Sequence, residues 1–202
     1  MLKRLKPFLL SLLAAATLAG CASNDSPVDF PPLSFKRYQP IYLNVASIEF
    51  VDEYKSPMRS PNVEHLMPYS PADAMRIWVK DRIRAVGSDK ILQVIIKDGR
   101  VTASQIHKDN SIEDFFTIDQ DRKYEAALDV ELRVYGTQSA LSEASVVVKA
   151  TRSMTMSENA SVWRRNFEFR KMIYEMMEAV NAELEKNMYM HMANHINFSQ
   201  SP

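Results

Sequence analysis

Cysteine is almost absent from this chain: Cys21 is the only one in 202 residues. A lone cysteine excludes an intramolecular disulfide and the cysteine clusters of structural zinc sites. Glycine is nearly as scarce, with four in the whole chain. Gly87, Gly99 and Gly136 stand far apart, so no glycine-rich loop brings backbone amides onto a phosphate. No Gly-x-Ser-x-Gly elbow presents a nucleophilic serine either. Neither sign of charge dominates, since 25 basic residues balance 25 acidic ones, and no basic stripe marks a nucleic-acid surface. Long apolar runs are also missing. The one candidate, residues 7–22, falls short of the roughly 20 residues needed to cross hydrocarbon as a helix. No internal repeat is evident.

What is present begins at the N-terminus. Lys3, Arg4 and Lys6 precede an apolar run over residues 7–16, followed by Leu18-Ala19-Gly20-Cys21. A basic start, an apolar stretch of about 7–15 residues and small residues at a cut describe a secretory signal peptide. Leu18-Ala19-Gly20-Cys21 resembles the lipobox of bacterial lipoproteins, in which a Leu and two small residues precede an invariant cysteine. The resemblance covers about the first 22 residues. It implies that residues 1–20 are removed, that the Cys21 sulfur carries a diacylglyceryl group and that its freed amine is acylated, commonly with palmitate. The residue type suits that chemistry, because a thiolate is a strong nucleophile. Two or three chains hold a protein on a membrane where one does so only marginally. Ala22, rather than Asp, at the following position resembles the outer-membrane default of such lipoproteins. The expected address is the cell envelope, with the domain facing the periplasm.

Removal of residues 1–20 leaves 182 residues in which 22 basic groups face 25 acidic ones. That length suits one domain with its own apolar core. Residues 21–40 hold four prolines and no helical or strand period, so they read as the lipidated cysteine and a semi-extended tether. Residues 41–202 read as one α/β domain.

Within it, residues 41–51 read as a buried strand, and a Pro-punctuated loop of nearly twenty residues follows. Ser70-Pro71-Ala72-Asp73 starts a helix with a capping pattern, its apolar stripe running through Ala74, Ile77, Trp78, Ala85 and Val86 to a stop at Gly87. Residues 90–108 read as one bent strand, although Asp98-Gly99 is also a hairpin signal. Tyr124, Ala126, Leu128, Val130, Leu132 and Val134 alternate with mostly polar residues, a half-buried strand. Residues 144–156 return antiparallel to it. A long helix is expected from Ser157 to about Ala193. The expected fold class is α+β: a single small, largely antiparallel sheet of about four strands with two helices on one face.

Candidate chemistry is thin. His191 and His195 share one face of a helix, but Met192 stands where a metalloprotease carries Glu and no third ligand is obvious; two solvated histidines are the plainer reading. Trp163, Arg164 and Arg165 open the long helix with a basic, aromatic cluster. It suits anionic headgroups or a partner's acidic face, and equally a solvated face with Arg stems over apolar surface. The helix is rich in Met, which suits either core packing or adaptable contacts. In residues 108–121, Ile112, Phe115, Phe116 and Ile118 sit among acidic residues, either folded over the sheet edge or forming an exposed contact patch.

The resulting expectation is a lipid-anchored, non-catalytic envelope lipoprotein without cofactor or metal. It would be an accessory or binding component in envelope assembly or lipid transport. Its element order resembles small accessory lipoproteins such as the transport-auxiliary and lipopolysaccharide-assembly families; beyond the lipobox no motif is shared. The expected partners are the membrane through acylated Cys21 and an envelope protein or lipid, with no nucleic acid. Phe115, Phe116, Trp163, Arg164 and Arg165 are candidate contacts. A structural envelope stabiliser without a ligand and an exported enzyme are the alternatives.

Overall fold

The alternation around Leu128 forms the centre of the molecule. A computed structural model describes residues 31–106, 121–136 and 141–200. Strand β6 (Asp121–Gly136) points Tyr124, Ala126, Leu128, Val130, Leu132 and Val134 into the core, each buried. Strand β7 (Ser142–Ser157) pairs antiparallel along its whole length, from Asp121↔Ser157 to Tyr135↔Ser142. On the other side β6 is paired first by β4 (Lys90–Asp98) and then by β5 (Val101–Gln105), both antiparallel. These two share one lane, so the segment is a bent strand and Asp98-Gly99 is no hairpin. Asp98 Oδ1 accepts from the Arg100 amide at 3.0 Å at the bend.

The α+β class holds, with two helices beside a mixed sheet. The small four-stranded, largely antiparallel sheet does not. Among the described residues the main sheet has five strands, and β2 (Ser47–Asp52) pairs parallel with β4. Strand β1 (Ile41–Leu43) pairs parallel with β3 (Ile83–Ala85) in a separate two-stranded sheet. The reason is the crossover: a helix, α1 (Pro71–Arg82), separates each pair, and a strand that returns through a helix lies parallel to the first. Residues 41–51 are also not one strand. Between Leu43↔Ala85 and Ser47↔Ile91, residues 44–46 face the longer stretch 86–90, and the ladder bulges there. Gly87 belongs to that bulge and not to a helix end. A Cβ on it would lie 2.5 Å from the Asn44 carbonyl carbon and 2.6 Å from the Val45 nitrogen.

Helix α1 begins as expected, with reciprocal Ser70–Asp73 capping and Pro71 in the first turn, but it ends at Arg82 because residues 83–85 pair with β1. Helix α2 spans Val162–His191, shorter than expected at its start because β7 runs on to Ser157. The helices run side by side in one direction. Arg170 lies over the Tyr69 ring, Trp78 Nε1 donates to Asn181 Oδ1 at 2.8 Å, and Arg82 Nη2 meets Glu185 at 2.6 Å. Both cover the even-numbered face of β4, β6 and β7, and Met172, Met176, Met177 and Met188 are core residues.

The tether expected up to residue 40 ends earlier. Leu33 and Phe35 are buried in the core, Asp81 accepts from the Phe35 amide at 2.8 Å and the Ser34 hydroxyl at 3.1 Å, and Tyr38 donates to Glu178 at 2.5 Å. Burying one such aromatic side chain contributes about 1.5–3 kcal/mol, enough to hold a Pro-rich segment in place. At the other terminus, Ile196 bridges Leu43, and the Asn197 amide donates to the Tyr42 carbonyl at 2.8 Å. The molecule therefore has two poles. One gathers the end of α1, the start of β4, the start of β7 and the end of α2. The other gathers the end of β5, the start of β6, the end of β7 and the start of α2.

Candidate functional site

Cys21, Phe115 and Phe116 lie outside the described residues. Trp163, Arg164 and Arg165 occupy the first turn of α2. Trp163 is 43% exposed and stacks on Phe167 at 5.6 Å, Val162 beside it is 72% exposed, and Arg164 pairs with Glu168 at 2.7 Å. The first turn holds no acidic residue, so two arginines sit at the positive end of the helix dipole. Such placement costs a few tenths of a kcal/mol per charge, so helix stability does not account for it. The Ile106 amide donates to the Asp121 carbonyl at 3.0 Å, and Asp121 is in register with Ser157. The chain carrying Phe115 and Phe116 thus departs and returns at the pole where Trp163 lies.

A pocket of about 440 Å³ opens between the 52–70 segment and the start of α1, lined by Tyr54, Lys55, Met58, His65 and Arg76 among others. Its base is Glu64, 4% exposed. The Tyr54 hydroxyl donates to Oε1 at 2.6 Å, the Val101 amide donates to Oε2 at 3.0 Å, and Asn62 donates in turn to the Tyr54 oxygen at 3.0 Å. Burial alone would raise the Glu64 pKa, but donors from Ser56, Tyr54 and Val101 outweigh it and hold the carboxyl below its ordinary range. Tyr54 moves upward, chiefly through burial and then through its bond to Glu64. A carboxylate kept ionised beside a phenol kept protonated is a clamp; neither is poised to exchange a proton near neutrality. Asp52 is likewise occupied, accepting from Arg76 at 2.5 Å, while Arg76 stacks over Phe50. Met58 at the rim has φ 53°, the left-handed region, and is 67% exposed. The length of this loop marks it in the sequence; nothing in its spacing singles out Glu64.

The face of the sheet opposite α1 and α2 carries a second buried acid. Glu131, 5% exposed, is held by Lys97 at 2.5 Å and by Arg133, whose hydrogen bond is the main reason its pKa falls. Ile95, 2% exposed, is its cross-strand neighbour. A hollow of about 490 Å³ further along includes Thr102, Ala127, Thr151 and Ser153 in its lining.

The two histidines do not converge. His191 is exposed in the last turn of α2, whereas His195 is buried in the short 3₁₀ turn Ala193–His195. His195 Nδ1 has no hydrogen-bond partner, and Nε2 lies 3.9 Å from Glu143. Burial, then Lys90, lowers its pKa against a small opposing pull from Glu143. Among the described residues no group of three or more His, Cys, Asp or Glu is placed to hold a metal ion, and no helix is long and apolar enough to cross a membrane.

The class these features define is an α+β domain whose buried acids are committed to holding its loops and sheet, with exposed aromatic and basic groups at the start of its long helix. No protein-family model matches the chain, and no curated protein matches it.

Proposed function

We propose that the chain is a cell-envelope lipoprotein, acylated at Cys21, whose domain serves as a binding or accessory component in envelope assembly or lipid transport. The observation that carries the reading is the position of the lone cysteine. It stands in a small-residue box after a basic and apolar leader, and Pro31, at the edge of the packed body, lies ten positions beyond it. Ala22 favours the outer membrane. A binding role is supported by the contrast between committed and uncommitted groups. Glu64, Asp52 and Glu131 are tied into fixed bonds, while Val162 and Trp163 stand exposed. Trp163, Arg164 and Arg165, with Phe115 and Phe116 in the neighbouring connection, form the partner-contact surface.

The test is capture of the intact, membrane-anchored protein from cells, compared with the variant Trp163→Ala/Arg164→Glu/Arg165→Glu. A partner retained by the native protein and lost by the variant, at equal abundance and equal membrane attachment, supports the reading. Identical captures from both proteins remove this surface from the account.

A further inference from the structure

The packed start of the domain fixes where a lipid tether leaves the body. Residues 33–35 lie against Asp81 in the last turn of α1, and that turn lies level with Glu185 near the end of α2. Helix α2 has 30 residues and is therefore about 45 Å long. Trp163, at its first turn, is roughly 30 Å along the axis from the level of Glu185. The tether leaves at the pole opposite Trp163. Ten residues from Cys21 to Pro31 reach at most about 35 Å when fully extended.

The exit pole bears the exposed apolar side chains expected of a surface that meets lipid. Phe198 is 57% exposed and stacks with Tyr189 at 6.2 Å; Tyr189 is 39% exposed and Met190 58%. Leu141, 78% exposed, precedes the start of β7, where Glu143 lies 3.9 Å from His195. Val86, 36% exposed, donates its amide to the Leu43 carbonyl, and Leu43 bridges Ile196. These side chains come from four separate stretches of sequence, and the fold assembles them at one end. Lys80 and Arg84 flank the exit point and are exposed. The Arg84 guanidinium donates to the carbonyls of Lys80 and Ile83 at 2.9 Å. Aromatic, thioether and branched side chains next to cations are the composition that settles at a headgroup boundary.

We infer that the pole carrying Val86, Leu141, Tyr189, Met190 and Phe198 lies against the phospholipid surface in which Cys21 is anchored, so that the Trp163 pole projects away from it. This rests on the lipoprotein reading. The tether makes the contact an intramolecular one, with an effective concentration on the order of millimolar, so a shallow apolar patch is sufficient to orient the domain. One consequence is that the partner surface at Trp163 faces the aqueous side, out of reach of the anchoring membrane.

The experiment uses the full, lipidated chain in vesicles of phosphatidylethanolamine and phosphatidylglycerol. Because Cys21 is the only native cysteine and its sulfur is acylated, an introduced cysteine is the single labelling site. Phe198→Cys, Met190→Cys and Val162→Cys proteins each receive an environment-sensitive fluorophore. The expected result is a blue shift and loss of emission to nitroxide-bearing lipid at positions 198 and 190, with neither at 162. Equal quenching at all three positions, or water-like emission at both 198 and 190, overturns the inference. Failure of the lipoprotein reading registers separately: the chain then shows no acyl mass on Cys21 and does not float with the vesicles.

Discussion

Replacing Glu64 by Gln tests whether a buried carboxylate holds the 52–70 segment to the sheet. The side chain is 4% exposed and accepts from the Tyr54 hydroxyl and the Val101 amide. Gln keeps the shape, offers one acceptor oxygen and turns an NH₂ group toward one of those donors. Hydrogen bonds to a charged group contribute about 1.5–3 kcal/mol each, and a buried donor left unpaired costs about 1–3 kcal/mol. Losing the charge on one bond and setting donor against donor at the other comes to about 2–4 kcal/mol. For a domain of this size each kcal/mol moves Tm by about 2–4 °C, so the expected fall is about 4–16 °C. The sign of the pH dependence is a second reading. The folded pKa of Glu64 lies below its unfolded value, so its stabilisation is present above the ordinary carboxylate range and is lost as pH falls through the folded pKa. Glu64→Gln therefore flattens the acid limb of stability. The assay is urea unfolding at several pH values between neutrality and the acid range. A variant within about 0.5 kcal/mol of wild type at neutral pH, the scatter of ordinary surface changes, refutes the clamp. An acid limb parallel to wild type does the same.

Two further perturbations follow. Gly87→Ala places a methyl group onto the Asn44–Val45 backbone and should destabilise by about 1–3 kcal/mol, the range for overpacking, whereas Gly99→Ala, whose nearest contact is 3.4 Å, should cost less; chemical denaturation of both compares them directly. His195 has a folded pKa below its unfolded value of about 6.5, so the unfolded chain binds the extra proton and stability falls as pH drops below that value toward the folded pKa. His195→Gln should remove this part of the slope, and an unchanged slope between pH 7.5 and 5, roughly one unit either side of an ordinary histidine pKa, would refute the assignment.

Local pattern was enough to read β6, the bent lane of β4 and β5, the capped start of α1 and the presence of α2. Each is written in spacing that one segment carries alone. Pairing partners are not. Nothing within residues 41–51 or 83–96 says that they lie parallel, because that follows from α1 folding back between them. Gly87 reads as a helix stop because Ala85 and Val86 before it continue the apolar stripe of α1, yet its role comes from the approach of Asn44 across the ladder. Leu33 and Phe35 were hidden by the prolines around them, which suggested a spacer where two side chains reach the core. Glu64 had no signal at all: a single acid in a loop becomes informative only when Tyr54 and Val101 are seen to meet it. The same holds for the exposed apolar pole, whose members are scattered from Val86 to Phe198. By contrast, Trp163-Arg164-Arg165 was visible as a contiguous run, and the fold added only that the connection holding Phe115 and Phe116 leaves from the same end.

The lipid anchor is tested most directly by the intact mass and membrane fractionation of the protein purified from its envelope, set beside Cys21→Ser. The expected result is a native chain that begins at Cys21, carries a diacylglyceryl thioether with an acylated amine and floats with the membrane, while Cys21→Ser keeps residues 1–20 and no lipid. A native protein with a free thiol at Cys21, or a Cys21→Ser variant with the same mass of processed chain and the same fractionation, contradicts it.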